Sequence, residues 1–144
     1  MAFKNPLSSM KYIKVKDHSA ASTASVTSDI VDTAGYQGVV FVTSFGTADA
    51  TNTVKAQQNT ANQTTGMADL VNTSIASGTT DEDIILAIHK PLERYVQVVA
   101  ARGASSTLES IWAILYGGDA GASVNSVAGT QIAEQHITPA EGTP

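Results

Sequence analysis

The three histidines, His18, His89 and His136, are the side chains best suited to metal binding or proton transfer in this chain. They stand in three separate segments, and none has a second histidine or a cysteine at the short spacing that a zinc site uses. We therefore interpret them as isolated residues. The chain has no cysteine, which excludes a disulfide framework, a zinc–thiolate site and a thiol nucleophile.

Two other segments resemble ligand-binding loops only in composition. Asp81, Glu82 and Asp83 offer three carboxylates, but the alternating acids and distant glutamate of a calcium loop are missing. Residues 117–121 are glycine-rich, but no Lys-Ser or Lys-Thr pair and no helix follow them, as a phosphate loop requires. No serine stands in a G-x-S-x-G motif. The sequence therefore predicts no catalytic residue, no metal site and no cofactor, and a protein that is not an enzyme.

Basic residues are concentrated near the start of the chain. Half of the eight basic residues precede the first acidic residue, Asp17, and these are Lys4, Lys11, Lys14 and Lys16. The rest of the chain carries four basic and thirteen acidic residues, a net charge of −9. Two interpretations stay open. The four lysines form a contact with an acidic partner, or they solvate an edge strand and block unwanted pairing. Nucleic-acid binding is not expected, because the acidic body repels phosphate.

The bulk composition favours one β-rich domain. The chain has 144 residues, which suits a single domain, and only 15% of them are charged, against an average of about 25%. Ser, Thr, Asn and Gln cover such a surface, and they suit sheets and loops better than surface helices. No apolar run is long enough to span a membrane. The first 16 residues lack the apolar segment of a secretion signal, so we expect no export by that route.

Short apolar or alternating runs predict the strands. Residues 38–45 and 84–89 are strong buried strands, and residues 12–16 form an edge strand. Residues 53–59 alternate but are polar, which predicts a sheet edge or an assembly contact. Seven or eight short strands follow, separated by turn signals about every ten residues. This pattern predicts an all-β, single-domain, antiparallel β-sandwich or jelly roll.

Residues 94–117 contain the two most apolar runs, joined by a Gly-Ala-Ser-Ser break. We interpret them as a β-hairpin whose strands are covered on both faces. Trp112, the only tryptophan, is then the anchor of the core. Arg94 and Arg102 flank the first strand. They either solvate its ends or bind a carboxylate at a subunit contact.

These observations divide the chain into three parts. Residues 1–18 are a basic N-terminal arm with an edge strand, residues 19–118 are the β-sandwich domain, and residues 119–144 are a C-terminal tail of small residues.

The order of short motifs resembles a known family. An Asp-Thr-Ala-Gly-Tyr turn at 32–36 leads into Val-Val-Phe-Val at 39–42, and an Ile-rich strand follows at 84–88. Arg-Tyr-Val-Gln-Val-Val at 94–99 and Ala-Ile-Leu-Tyr-Gly-Gly at 113–118 complete the series. Over residues 20–118 the chain is similar to small head proteins of tailed bacteriophages, in particular the capsid decoration, or cement, proteins.

The resemblance implies a structural virion protein without catalytic residues or cofactor. It implies synthesis in the cytoplasm of the bacterial host and attachment to the outside of the capsid. The implied partners are the major capsid protein and further copies of this chain, as a trimer at three-fold positions, with no nucleic acid and no membrane. The lysines Lys4, Lys11, Lys14 and Lys16 are the candidate capsid contact. The alternative is a carbohydrate- or receptor-binding β-sandwich module of a head fibre or tail, which requires an exposed aromatic platform.

Overall fold

A computed structural model describes residues 9–118 and Gln131 of this protein. The described secondary structure consists of twelve β-strands: β1 (Lys11–Lys16), β2 (Ser19–Ser22), β3 (Val26–Thr27), β4 (Val31–Asp32), β5 (Gly38–Ser44), β6 (Thr53–Asn59), β7 (Ala68–Asp69), β8 (Ile75–Ala76), β9 (Asp83–His89), β10 (Tyr95–Ala101), β11 (Ser106–Leu108) and β12 (Ile111–Tyr116). Eight of these strands are at least three residues long, and the other four are two-residue pairings.

The strands form three antiparallel sheets. The first has four strands in the order β1-β12-β5-β9. The second has the order β3-β10-β6-β7, with β4 added beside β10 and β8 beside β6. The two strands β11 and β2 form a small third sheet. The protein is therefore all-β, as predicted, with the arrangement expected of a β-sandwich. The finer jelly-roll topology stays a prediction.

One hydrophobic core joins the two larger sheets. Alternate residues of β5 and β12 supply Val39, Phe41, Ala113 and Leu115 from the first sheet. From the second sheet come Val54, Ala56, Val96, Val98 and Ala100. Each of these side chains is almost wholly buried. Removing each large one from water contributes roughly 1.5–3 kcal/mol, so the inner faces hold the sandwich together.

The predicted hairpin over residues 94–117 is wrong. Strand β10 lies in the second sheet and β12 in the first, so the two apolar runs face each other across the core instead of pairing. The turn signal between them is real, because Ala104 and Ser105 both have positive φ and the Ser106 amide donates to the Gly103 carbonyl. The turn leads into β11, which pairs with β2. A local turn cannot specify which sheet the next long strand joins.

Buried polar contacts hold this crossing segment in place. The side chain of Asn52 is fully buried; its Nδ2 donates to Ser106 Oγ at 3.0 Å and its Oδ1 accepts from the Gly103 amide at 2.8 Å. The Arg102 guanidinium donates to the backbone carbonyls of Ala20, at 2.7 Å, and Ser106, at 3.1 Å. The segment that changes sheets is thus tied to the turn before β6 and to β2.

Strand β6 is not at a sheet edge, because it pairs along its whole length with β10 and carries β7 and β8 on its other side. Of the predicted arm, β1 is part of the first sheet, while residues 1–8 lie outside the described residues. The predicted tail, residues 119–144, also lies outside them except for Gln131.

Candidate docking surface

The outer face of the four-stranded sheet is mainly apolar. The pairing registers place its side chains in rows across the strands. Two central rows contain Tyr12, Ile114, Val40 and Ala87, then Lys14, Trp112, Val42 and Ile85. All eight are half-buried or exposed, and 66% of the Ile85 side chain is exposed. Adjacent apolar side chains that reach the surface of a folded domain mark a candidate interaction site.

Trp112 lies at the centre of this outer face and is not the core anchor that its apolar neighbours suggested. Strand β12 alternates strictly, with Ile111, Ala113 and Leu115 buried and the residues between them half-buried. Period-two alternation therefore places Trp112 on the side away from the core. The sequence failed to indicate this because both faces of β12 are apolar, and we interpreted that as coverage from both sides. An apolar outer face is also the signal of a docking surface.

A polar row closes one end of the outer face. Tyr116 on β12 lies directly opposite Gly38 on β5, which in turn lies opposite His89 on β9. Gly38 has no side chain, so the Tyr116 ring reaches across β5, and its hydroxyl lies 2.8 Å from His89 Nδ1. The two rings are nearly parallel, at an interplanar angle of 6°. A side chain at position 38 would meet the tyrosine hydroxyl and the Ile88 carbonyl within 2.6 Å.

The outer face of the second sheet has a different chemistry. Lys55 and Gln57 on β6 both donate to the Asp69 carboxylate on β7, at 2.7 and 2.8 Å. Gln97 on β10 extends the network by donating to the Gln57 side-chain oxygen. These polar groups bind one another, and the two hydrogen bonds hold the pKa of Asp69 below its ordinary value. Of the two outer faces, the apolar one is therefore the candidate docking surface.

The four predicted contact lysines do not form one cluster. Lys4 lies outside the described residues. Lys14 lies on the outer face opposite Trp112, with only 15% of its side chain exposed and its Nζ 2.9 Å from Asp17 Oδ1. Lys14 and Lys16 line a surface cavity of about 350 Å³ that also contains two aspartates.

Lys11 lies opposite Leu115, at the inward-facing register of β1. It adds a small electrostatic contribution to the lowered pKa of Asp32. Of the described lysines on β1, Lys14 therefore borders the apolar face most closely, while the capsid contact itself stays a prediction.

The two edge strands of the four-stranded sheet, β1 and β9, differ in how well they are protected against pairing with another strand. Strand β1 carries three lysines and a register shift between Lys14 and Lys16. The Gln131 side chain also binds its backbone, accepting from the Lys14 amide at 3.1 Å and donating to the Tyr12 carbonyl. Strand β9 has no lysine, proline or register shift within its seven residues. Charges, bulges and covering groups are the usual protection of an edge strand, so β9 is the less protected edge.

The described histidines and acidic residues do not converge on a reactive centre. His18 Nδ1 lies 3.5 Å from Glu109 Oε2, His89 contacts Tyr116, and His136 is outside the described residues. Within residues 9–118 and Gln131, no group of three or more side chains is placed to hold a metal ion. In the predicted acidic loop, Glu82 accepts a hydrogen bond from Ser77 Oγ at 3.0 Å. No helix among the described residues is long and apolar enough to cross a membrane.

The two flanking arginines bind within their own chain. Arg94 donates from Nε and Nη2 to the two carboxylate oxygens of Asp32, each at 2.7 Å, and its guanidinium lies over the Tyr95 ring. These hydrogen bonds hold the pKa of Asp32 below its ordinary value, and the carboxylate raises the pKa of Arg94. The sequence left two alternatives open, and Arg94 does make a bidentate carboxylate contact, but within the chain, where it links β4 to the start of β10. Arg102 binds backbone carbonyls, as described above.

The sequence was compared with models of protein families and with curated proteins, and neither comparison found a match.

Proposed function

We propose that this protein is a non-enzymatic structural subunit that binds the outer surface of a tailed-phage capsid and stabilises it. The observation that carries the proposal is the apolar outer face of the four-stranded sheet, centred on Trp112 and bordered by the lysine-bearing strand β1. Such a face presents a rigid surface that suits repeated docking on a lattice. The resemblance to decoration proteins supports the same role and adds the trimer at three-fold positions and the location on the virion exterior.

Physical considerations favour this role. A subunit that reinforces a shell gains avidity from many copies on a repeating surface, so each contact can be weak. The lysines of residues 1–16 add attraction to an acidic capsid surface, which acts mainly on the association rate and weakens with salt. The proposed partners are therefore the major capsid protein and further copies of this chain.

Binding to capsids that lack the protein tests the proposal. Deleting residues 1–16 would remove β1 and its pairing with β12, so point variants are the better probe. We expect Val40→Glu, which puts a charge in the centre of the apolar face, to abolish binding. Thr53→Glu is the matched control, since Thr53 is also half-buried but belongs to the second sheet. If Val40→Glu binds capsids as well as Thr53→Glu does, the apolar face is not the docking surface.

Salt dependence tests the lysines separately. We expect Lys16→Glu to weaken capsid binding at low salt and to flatten its dependence on ionic strength. Lys55→Glu makes the same change in net charge on the other sheet and should bind like the wild type. An unchanged salt profile in Lys16→Glu and in Lys14→Glu alike would remove both of these lysines from the contact.

A second candidate function is a carbohydrate- or receptor-binding module, and one observation favours it. Trp112 and Tyr12, both half-buried, lie in neighbouring rows of the outer face and so place two aromatic rings on the same side of the sheet, on which a sugar could stack. A glycan array and sugar-dependent quenching of Trp112 fluorescence distinguish the two functions. Saturable quenching by a glycan, with no binding to capsids, would favour the second.

A further inference from the structure

We propose that β9 pairs with β9 of a second copy of this chain, antiparallel and about a two-fold axis, through the backbone edge that faces away from β5. The proposal goes beyond capsid binding and does not depend on it. It rests on three observations: the open edge of β9, the order of charges along β9, and the position of apolar side chains beside that edge.

Within the described part of the chain, the backbone groups on the free edge of β9 bond to no other strand. The Lys90 amide donates to the Gln37 carbonyl on the β5 side at 2.7 Å. The direction of the backbone hydrogen bonds alternates from residue to residue along an antiparallel strand. Every second residue before Lys90 therefore also bonds towards β5: Ile88, Leu86 and Ile84. The residues between them point their backbone groups away from β5: Ile85, Ala87 and His89. No strand of the described residues pairs there. The natural occupant of such an edge is another strand.

The charge pattern selects a second β9 as that strand. Its sequence runs from Asp83, through five apolar residues, to His89, with Glu82 before it and Lys90 after it. The acidic end thus precedes the apolar centre and the basic end follows it. Antiparallel pairing of two identical copies places Asp83 of each opposite His89 of the other and Glu82 opposite Lys90, whereas parallel pairing would put residues of like charge side by side. Opposite charges across strands stabilise a sheet and like charges destabilise it.

The hydrogen-bonding pattern fits the same register. With Asp83 opposite His89, Ile85 lies opposite Ala87 of the second copy and Leu86 lies on the two-fold axis. Each residue whose backbone groups point away from β5 then lies opposite a residue of the same kind in the second copy, as an antiparallel ladder requires. Ile85 and Ala87 are both exposed, and their contact across the interface would remove apolar surface from water. One slip by a single residue would break the ladder.

The apolar surface continues beside the edge. Val71 and Leu92 are 87% and 90% exposed, and they line a surface cavity of about 310 Å³ together with Ala87 and His89. The edge strands β3 and β7 of the second sheet are only two residues long. Among the described residues, β9 is therefore the one long edge that combines an open backbone, an apolar centre and complementary ends. The contact would join two sheets of four strands into one of eight, and it would link different trimers where trimers form.

Sedimentation of the full chain tests the contact. We expect the wild type to dimerise reversibly, or to form pairs of trimers. We expect Ile85→Lys to raise the dissociation constant of this step at least about tenfold, about 1.4 kcal/mol, because the change occurs twice in each dimer. Thr27→Lys is the control, an exposed strand residue on β3 of the second sheet and outside the apolar surface beside β9, and it should leave the constant within about twofold. A wild-type chain that sediments only as a monomer or only as a trimer overturns the proposal.

Disulfide trapping tests the register without disturbing the core. Because the chain has no cysteine, Ile85→Cys and Ala87→Cys prepared separately and then mixed report only contacts between copies. In the proposed register their Cα atoms lie about 5.5 Å apart, within disulfide reach. Ile85→Cys alone is the control, because residues 85 of the two copies are diagonal neighbours about 7–8 Å apart in this register, beyond disulfide reach. Crosslinking of the mixture but not of the control supports the register, and crosslinking of the control, or of neither, overturns it.

Discussion

Replacing Asn52 by alanine should destabilise the protein strongly, although Asn52 belongs to no strand. Its side chain is fully buried and joins the turn before β6 to the segment that carries the chain from β10 to β11. Asn52→Ala removes the hydrogen bonds to Ser106 and to the Gly103 amide. Each contributes about 1 kcal/mol net, and the part-buried Gly103 amide, left without its acceptor, adds about 1 kcal/mol, the low end of the cost of an unpaired donor. We therefore expect a loss of about 3 kcal/mol.

Thermal and urea unfolding followed by circular dichroism measure this loss. For a domain of this size, 3 kcal/mol corresponds to a fall in Tm on the order of 12 °C. Exposed Asn62 is the control, and Asn62→Ala should change the free energy of unfolding by no more than about 0.5 kcal/mol. A double-mutant cycle with Ser106→Ala should give a coupling energy of about 1 kcal/mol, since the two side chains share a hydrogen bond.

The reasoning fails if Asn52→Ala costs less than about 1 kcal/mol, the value of a single ordinary hydrogen bond. It also fails if the cycle with Ser106→Ala is additive, because the two side chains would then be energetically independent. A preserved Tm with altered near-ultraviolet dichroism would contradict it as well. In that case the crossing segment would have rearranged without loss of stability.

Two further predictions concern the Asp32–Arg94 pair and Gly38. Asp32→Asn should lower stability at neutral pH by at most about 1 kcal/mol, because the pair is about half exposed. The pKa of Asp32 is lower in the folded state than in the unfolded state, so the stability that the pair contributes is present above the unfolded pKa and is lost as pH falls through the folded pKa. The free energies of unfolding of the wild type and the variant should therefore converge in acid. A difference in stability that stays the same at every pH would contradict this. Gly38→Ala should lower the free energy of unfolding, measured in urea, by about 1–3 kcal/mol, because the new methyl group meets the Ile88 carbonyl and displaces Tyr116 from His89. Gly35→Ala is the control. No atom lies within 4 Å of its new methyl group, so only the positive φ opposes the change, and the loss should be about 1 kcal/mol.

Local patterns predicted most of the strands correctly. Alternation and β-branched residues identified β1, β5, β6, β9, β10 and β12 nearly to the residue, because side-chain period and strand propensity are local properties. The turn at Gly103 was also identified. The hairpin was wrong because pairing partners depend on contacts between distant segments. Here Asn52 and Arg102 direct the chain into the other sheet.

The candidate docking surface was only partly visible in the sequence. The lysines of β1 could be selected by charge alone, and alternation places Lys11 and Lys14 on opposite faces, but only the pairing with β12 decides which of them faces outward. Trp112 was placed in the core because its neighbours on both sides are apolar. Only the second sheet, packed on one side of β12, decides which apolar residues are inside.

The sequence by itself determined an all-β protein without cysteine chemistry, with a basic beginning and an acidic body, because composition and period-two alternation are carried by the chain alone. The tertiary structure decided which strands are neighbours and which face of each is free. That difference has one physical reason. A strand's alternation divides its side chains into two sets, and only packing against a second sheet chooses which set is buried and which set, with Trp112 at its centre, is left for a partner.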